Sequence, residues 1–515
     1  MIKKKFNYLL AGTSWLFLFV ISMFLKPHGD DFEFLYYFKN GNWNVGGYHW
    51  LNDCILLPRN YWRPIEDVLF TFEAHFPYLY PYLHHAIIVT LCVISACLVY
   101  RLGGVLRLKQ SIRYVSSVFL LFASTSMGTT LDVGGFIQVL ATCCGLASIL
   151  FWLHKDTIGY ISWFICCFIA CFSKETGFIW FPIAPLFAAL LEVKEKHVNI
   201  YKGKNLIHVL KTLIVPVLGI VLYLIAYVSV TNTDIAKVAS GSSNTEKVAK
   251  NAKGNEKSAL FTTDVSTHDY SFTPASLAKN IFVCWVAALY PIDTTAIYQK
   301  DFSLIALTGI LGLIPFLLIL YYVIRYIRNH SFPDWSLLFW MLLIVSSVSL
   351  ILRAGEISAY PSIAILALII GLVLNDVKWS CKSLVVLVMF TVSTLIVDAH
   401  KYYMCYWAAK DADTIGKELK SETKDPSNVL LIQYGDWTLK KDGAFVRNLV
   451  YDFFDGGAAI AAYDYKKPKK LSIKNFIGKN FYSLKKQAYS EAVQNKSKYS
   501  AIWIVSEKET TVINH

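Results

Sequence analysis

Two adjacent carboxylates, Asp30 and Asp31, follow the first long apolar run of the chain, in the stretch FLKPHGDDFEF. A membrane helix would leave the bilayer at this point, so the pair lies where a polar cavity can open at the membrane surface. A carboxylate in such a cavity can take a proton from an attacking hydroxyl. The pair is therefore the first candidate for acid–base chemistry in this sequence.

Further ionisable side chains stand where later apolar runs begin or end. Lys174 and Glu175 occur in FSKETGF, Arg353 and Glu356 occur in LRAGEISAYPS, and Asp132 lies between two other runs. Any one of them is equally compatible with a solvated charge at a helix end. An unpaired charge at the membrane edge is costly, so we interpret their recurrence on one face as a shared, partly buried polar cavity.

Cations and carboxylates together suit the transfer of a lipid-linked phosphosugar. Arg binds phosphate with two parallel hydrogen bonds, and Lys binds it as a point charge. The lipid chain would lie in the bilayer, the phosphate would contact Lys174 and Arg353, and the sugar would project toward Asp30 or Asp31. Adjacent carboxylates also attract divalent cations, but this chemistry requires none, and we predict no metal ligands and no cofactor.

Composition places the chain among polytopic membrane proteins. Of its 515 residues 55% are hydrophobic and only 17% are charged, and the mean hydropathy is +0.44, which is more apolar surface than one soluble core can bury. The net charge of +13 is attributed to basic loops on one membrane side rather than to a nucleic-acid site. Most of the 11 cysteines lie inside apolar runs, so we expect no disulfide or metal role.

Apolar runs of near-bilayer length predict about eleven spans. They lie at 7–25, 84–102, 113–129, 133–153, 157–173, 176–192, 207–229, 302–324, 335–353, 358–375 and 383–399. Alternate connecting loops are short and rich in Lys and Arg, which places them and the N-terminus in the cytoplasm and the C-terminal tail outside. We expect a multi-pass protein of a bacterial inner (cytoplasmic) membrane, with its polar residues facing out of the cytoplasm.

Two domains follow from this pattern. Residues 1–400 form a transmembrane domain with long outer loops at 26–83 and 231–301. Within the second loop, the apolar stretch 281–298 is interrupted by a proline and an aspartate, which favours an interfacial helix over a span. Residues 401–515 contain the strand-like NVLLIQYG and YSAIWIVS and the helix-like DGAFVRNLVYDFF, so we predict a small extracytoplasmic α/β domain.

The order of four short motifs resembles a known family. HGDDF after the first span, YWRP, SKE and AYPS occur in the order found in C-type (GT-C fold) membrane glycosyltransferases that use polyprenyl-phosphate sugars. The similarity is to the protein O-mannosyltransferases and related bacterial enzymes, and it covers residues 1–400. It implies a GT-C-like α-helical fold, with Asp30 or Asp31 as the catalytic base. A single displacement by the acceptor hydroxyl then predicts inverting transfer.

The resemblance also implies a set of residues that contact donor or acceptor. The substrate-binding candidates are Arg63, His85, Asp132, Lys174, Glu175, Arg353, Glu356 and Tyr360. Glu175 would orient Lys174. The sequence departs from the family in two places. Only His85, or its neighbour His84, corresponds to the family's histidines in the second span, and Asp132 lacks the arginine that often precedes it.

The implied partners are a polyprenyl-phosphate-linked sugar donor, a glycan, lipid or protein acceptor, and membrane lipids, without nucleic acid. The alternative is a polytopic transporter or flippase of lipid-linked glycans. Such proteins place charges near the bilayer midplane in broken helices and often contain repeated halves, whereas here the charges lie at one edge and no repeat is found. A non-catalytic assembly protein would need no base at all.

Overall fold

A computed structural model describes residues 2–25, 63–74, 76, 79, 82–131, 134–196, 201, 203–231, 273–292, 301–351, 356–378, 381–435, 470–477, 480–506 and 509–514. Most of these residues are helical, and a small sheet lies at the C-terminal end. The described helices up to residue 196 are α1 (Ile2–Met23), α2 (Pro64–Ala74), α3 (Tyr82–Val105), α4 (Gln110–Phe122), α5 (Ser124–Leu131), α6 (Gly135–Trp152), α7 (Thr157–Ser173) and α8 (Trp180–Lys196). A 3₁₀ helix, Glu175–Ile179, joins α7 to α8.

The remaining elements are seven helices, followed by a four-stranded sheet with one more helix between its second and third strands. The helices are α9 (Gly203–Thr212), α10 (Ile214–Thr231), α11 (Pro274–Leu289), α12 (Phe302–Asn329), α13 (Phe332–Ser349), α14 (Glu356–Asn375) and α15 (Cys381–Glu422). The C-terminal elements are β1 (Asn428–Gly435), β2 (Lys470–Ile477), α16 (Phe481–Gln494), β3 (Ala501–Val505) and β4 (Thr510–Asn514).

The helices have the lengths and composition of a multi-pass membrane protein. In the described part of the chain, eight are long and apolar enough to cross a bilayer, or nine if the bent pair α4 and α5 is one span. This is fewer than the eleven predicted, because the apolar segment Leu9–Met23 of α1 and the helix Thr157–Ser173 are shorter than a full crossing. The predicted run 113–129 is also not one helix: α4 and α5 meet at 53°.

The innermost helix of the bundle is α14. Most of its length is buried, against α4, α5, α6 and α13, whereas α10 and α12 expose apolar side chains along most of theirs. Contact with α4 is close at Gly371, where a Cβ would lie 2.3 Å from the hydroxyl of Ser116. A buried hydrogen bond of 3.0 Å between Ser346 and Ser362 joins α13 to α14. The arrangement is that of a bundle with one central helix and lipid-facing outer helices.

Loops predicted on the same membrane side meet at one end of the bundle. We name it the basic end and define it by Arg107, Lys109 and the last residues of α8 and α14. There Arg107, after α3, donates to Glu195 of α8 at 2.6 Å. The backbone N–H of Lys109 donates to the side chain of Asn375, the last residue of α14, at 2.9 Å. These contacts bring the predicted cytoplasmic loops together, as the alternation of basic and non-basic loops requires.

The helix α15 connects the bundle to the sheet. It is 42 residues long and passes residue 400 without a break, so the last span and the start of the predicted tail are one element. The sheet has the order β2-β1-β3-β4, with β1 parallel to β2 and β3, and β4 antiparallel to β3. The two predicted strands are β1 and β3. The predicted helix DGAFVRNLVYDFF, at 442–454, lies outside the described residues.

The first half of the apolar stretch predicted at 281–298 belongs to α11, which begins at Pro274 and ends at Leu289. Residues 293–298 lie outside the described residues. Thr273 and Ser276 form a reciprocal capping box at the start of α11, and Pro274 occupies the first turn, where its missing N–H costs nothing. The helix ends before Pro291 because a proline cannot continue the backbone hydrogen bonding.

Candidate functional site

Four charged side chains meet beside the start of α2 and the end of α7, and we name them the Arg63 cluster: Arg63, Glu66, Lys174 and Glu175. The guanidinium of Arg63 donates to both carboxylate oxygens of Glu175, from Nε at 2.6 Å and from Nη2 at 3.1 Å. Its Nη1 contacts Glu66 at 3.4 Å, and Nζ of Lys174 lies 3.5 Å from Glu175. The cluster therefore joins residues more than a hundred positions apart in the chain.

The cluster is partly buried, which strengthens its electrostatics. All four side chains are between 17% and 23% exposed. Burial lowers the pKa of Arg63, but the charges of Glu175 and Glu66 outweigh it and raise the pKa above the usual value. For Lys174 burial prevails over the attraction of Glu175, and the pKa lies below the usual value. Lys174 is thus the less compensated cation, and its ammonium keeps donors for a further anion.

A tight chain reversal places Lys174 and Glu175 at the end of α7. Lys174 has extended backbone angles (φ −147°, ψ 135°) between α7 and the 3₁₀ helix, and its carbonyl accepts the N–H of Gly177 at 2.7 Å. A Cβ on Gly177 would lie 2.2 Å from the carbonyl oxygen of Ala170, so this turn accepts only glycine. The SKETG sequence therefore holds both charged residues toward α2.

The opposite end of α2 is anchored by a buried contact between a histidine and a carboxylate. Nδ1 of His84, in α3, lies 3.0 and 2.9 Å from the two carboxylate oxygens of Glu73, and both side chains are almost completely buried. Phe70 stacks on the imidazole with ring centroids 5.3 Å apart. His84 therefore has a structural partner, and α2 is fixed at both ends so that Arg63 is held in place.

A second polar group lies inside the span formed by α15. Lys401 and Asp398 are both buried, and Nζ of Lys401 donates to the carbonyl oxygen of Ser124, at the break between α4 and α5. The next residue, Tyr402, donates to the carbonyl oxygen of Ile21 in α1 at 3.2 Å. Sequence reasoning ended the last span at residue 399 and missed this group, although three ionisable residues in the apolar stretch LIVDAHKYY were a detectable signal.

The structure brings three of the predicted site residues together: Arg63, Lys174 and Glu175. Glu175 contacts Lys174 at 3.5 Å, and its orienting role stays a prediction. Glu66 and Glu73 were not anticipated. His85 is completely buried in α3. Tyr360 is buried in α14 and lies close enough to Cys92 of α3 to interact electrostatically. Cys92 is seven residues, or about 10 Å of helix, beyond His85.

The other predicted site residues are not located. Asp30, Asp31, Asp132 and Arg353 lie outside the described residues. Glu356 is the first residue of α14, and only its backbone is described. Across the described ranges, no three His, Cys, Asp or Glu side chains are grouped closely enough to hold a metal ion. Asp30 and Asp31 lie outside those ranges.

Comparison with known proteins does not assign the chain to a family. No family model matches the sequence, and no curated protein matches it at a significant level. The resemblance to C-type glycosyltransferases therefore stays a prediction carried by the motifs themselves. The arrangement of the Arg63 cluster is chemically suited to holding an anion at one end of a helix bundle.

Proposed function

We propose that this protein is a membrane glycosyltransferase. It moves a sugar from a polyprenyl-phosphate donor to an acceptor hydroxyl outside the cytoplasm, with inversion at the anomeric carbon. The acceptor is a glycan, a lipid or a protein. The active site lies at the end of the bundle opposite the basic end, and one carboxylate of the pair Asp30 and Asp31 is the base.

The observation that carries the proposal is the partly buried, incompletely compensated cation Lys174 at that end. Arg63 already makes a two-pronged contact with Glu175, whereas within the described ranges the ion pair of Lys174 is a contact of 3.5 Å to the same carboxylate. An ammonium held in this way at a span end can bind a lipid phosphate at headgroup level. Arg353, in the predicted site, would supply a second cation.

The end of α1 supports placing the acidic pair on the same side. Ile21 contacts Tyr402, which lies 21 residues after Cys381, about 30 Å along α15. Because Cys381 follows the basic end, α1 finishes near the opposite end, where Lys174 also lies. Asp30 and Asp31 come only a few residues after α1 in the sequence.

In the proposed reaction, the carboxylate takes the proton of the acceptor hydroxyl as the oxygen attacks the anomeric carbon. The bond between that carbon and the phosphate oxygen breaks, and polyprenyl phosphate leaves with the bonding electrons. Lys174 and Arg353 would stabilise the charge that develops on the leaving phosphate. One displacement inverts the configuration and requires no covalent enzyme intermediate.

The test is turnover of polyprenyl-phosphate sugar by the purified Asp30→Asn and Asp31→Asn variants. Loss of a general base costs about a hundred- to ten-thousand-fold in rate, so one variant should be nearly inactive and the other only impaired. Glu33→Gln, in the same segment, is the matched control and should retain activity. Full activity in both aspartate variants, or a product with retained configuration, would exclude the mechanism.

A second candidate, a flippase of lipid-linked glycans, is favoured by one feature, the break between α4 and α5. Transporters bind substrates at broken helices, and here a buried lysine contacts a carbonyl at the break. The assay is movement of a labelled lipid-linked glycan across the membrane of proteoliposomes. Movement that persists in Asp30→Asn and Asp31→Asn but is abolished by Lys401→Met would favour the flippase over the transferase.

A further inference from the structure

Tyr223 is a buried polar side chain on a helix that otherwise faces lipid. Most of α10 exposes apolar side chains, and the buried residues described on it, Pro216, Gly219 and Tyr223, recur at intervals of three and four along one stripe. Tyr223 itself is only 1% exposed. A tyrosine hydroxyl that is removed from water inside a membrane helix bundle needs a hydrogen-bond partner. The partner of this hydroxyl therefore indicates its role.

The hydroxyl of Tyr223 donates to the end of α7. Its partner is the carbonyl oxygen of Cys171, at 3.3 Å. Cys171 lies in the last turn of α7, where carbonyl oxygens lack an N–H of their own helix because the chain leaves the helix at Lys174. Tyr223 thus caps a carbonyl three residues before Lys174, and it lies close enough to Arg63 and Glu175 to interact electrostatically.

Close packing of α10 on α8 holds Tyr223 in place. A Cβ on Gly219, one turn before Tyr223, would lie 2.5 Å from the ring of Phe181 in the first turn of α8. Phe181 comes just after the 3₁₀ helix that begins at Glu175. The helix α10 is therefore packed against the segment that follows the Lys174 turn, while Tyr223 contacts the segment that precedes it.

An uncapped carbonyl at this position would compete for Lys174. The carbonyl end of a helix carries partial negative charge, and lysine side chains often bind the last carbonyls of a helix. Such a contact would draw the ammonium of Lys174 back onto α7, and the negative charge would repel an anion beside it. The hydroxyl of Tyr223 occupies one of these acceptors, the carbonyl of Cys171.

We propose that Tyr223 is a positioning residue for the lipid phosphate. Its hydroxyl caps the end of α7, holds the turn that carries Lys174 and Glu175, and leaves the ammonium of Lys174 available to the phosphate. The role rests on the proposed function, because that function assigns the phosphate of a polyprenyl-phosphate donor to Lys174. Tyr223 acts through Lys174 and does not itself contact the donor.

The first test compares Tyr223→Phe with Tyr290→Phe in the purified full chain. Tyr290→Phe is the matched control, because the hydroxyl of Tyr290 also donates to a carbonyl oxygen, that of Gly309 in α12, at 2.9 Å. Amide hydrogen exchange without any lipid should become severalfold faster in Tyr223→Phe alone at Lys174 and Gly177, whose N–H groups hold the turn. Both variants keep the ring, so their melting temperatures should fall by similar, small amounts.

The second test measures affinity for polyprenyl phosphate, which is the donor without its sugar. We expect Tyr223→Phe to weaken binding about fivefold, the scale of one neutral hydrogen bond, and Tyr290→Phe to leave it unchanged. In a Lys174→Gln background, Tyr223→Phe should have no further effect on affinity, because the tyrosine acts through Lys174. A tyrosine that only stabilised the bundle would not show this dependence on Lys174.

Equal exchange at the turn in the two tyrosine variants would exclude the cap at the end of α7. The positioning role is overturned if the wild type binds polyprenyl phosphate and Tyr223→Phe binds it equally well, or if Tyr290→Phe weakens binding to the same extent. It is also overturned if the full effect of Tyr223→Phe persists in the Lys174→Gln background. No binding of polyprenyl phosphate by the wild type would instead refute the proposed function, and the role of Tyr223 in phosphate binding with it.

Discussion

At the scale of single residues, the shared carboxylate of Glu175 explains why two cations can be held so close together. Arg63 takes both of its oxygens, and Lys174 contacts one of them. Removal of one partner from a partly buried ion pair leaves the other charge desolvated and uncompensated, which costs more than the pair contributed. The carboxylate is therefore the residue on which the geometry of the Arg63 cluster depends.

We predict that Glu175→Gln lowers the free energy of unfolding by about 2 kcal/mol and also reduces transferase activity. The substitution keeps the size of the side chain but removes the carboxylate between Arg63 and Lys174, and Glu66, 3.4 Å from Arg63, is then the remaining carboxylate of the cluster. Glu192→Gln is the matched control, because the ion pair that Glu192 makes with a described residue is a 3.9 Å contact with the largely exposed Lys155. It should cost less than 1 kcal/mol. Thermal unfolding in detergent measures both, and equal shifts would contradict the prediction.

At the scale of elements, the break between α4 and α5 is the feature that most changes the prediction from sequence. Ser124 is the first residue of α5, so its carbonyl belongs to the hydrogen-bonded first turn of that helix and can accept a further hydrogen bond. Lys401 supplies one to Ser124, from a helix almost three hundred residues away in sequence. The hydroxyl of Ser124 also donates to the carbonyl of Ala287 at 3.2 Å.

Replacing Lys401 with Met should therefore destabilise the bundle by about 1–3 kcal/mol, since it removes a buried, charge-assisted hydrogen bond that joins α15 to the start of α5. The matched control is Lys410→Met, in the same helix, where the ammonium lies over the ring of Trp407 at 4.3 Å and is exposed. That change should cost under 1 kcal/mol. If melting temperatures of the two variants fall by the same amount, the contact with Ser124 is not stabilising.

In the sheet, Glu509 links β4 to its neighbours and makes stability depend on pH. Burial alone would raise the pKa of Glu509, but hydrogen bonds from Lys485 and Tyr434 outweigh it and hold the pKa below its ordinary value of 4.5. A carboxyl group with a lower pKa in the folded state stabilises that state above the unfolded pKa. The contribution is lost as the pH falls through the folded pKa.

We therefore expect amide protection in β3 and β4 of the full chain to fall as the pH drops below about 4.5. Glu509→Gln should show weaker protection at pH 7 and little further change on acidification. Glu418→Gln, an exposed position in α15, is the control and should behave like the wild type. Hydrogen exchange corrected for the intrinsic pH dependence measures this, and a Glu509→Gln profile parallel to the wild type would refute the linkage.

The sequence predicted the helices well, but it did not predict the contacts between distant residues that form the candidate site. Long apolar runs predicted helices reliably because period and length are local properties. The helix α16 was missed because its buried positions, Leu484, Ala488 and Ala492, form a narrow stripe with two alanines. The contacts of Arg63 with Glu175 and of Lys401 with Ser124 were out of reach, since pairing across such separations is determined by packing and not by local pattern.

At the scale of the whole molecule, the alternation of basic loops predicts which end faces the cytoplasm. The contacts at the basic end bring together loops that carry Arg107, Lys109 and Lys155 with the ends of α8 and α14. Positive loops are retained on the cytoplasmic side during insertion. The Arg63 cluster, at the other end, would then face outward, where a polyprenyl-phosphate donor presents its sugar.

This orientation predicts opposite labelling of two engineered cysteines. Lys250→Cys lies in the loop predicted outside, and Lys155→Cys lies in the short loop between α6 and α7. In intact cells a membrane-impermeant maleimide should label position 250 at once, and position 155 only after the cytoplasmic side is opened. The unmodified chain is the control, because most of its described cysteines are buried or half-buried. Labelling of position 250 from the cytoplasmic side alone would invert the orientation, and with it the side on which we place the sugar transfer.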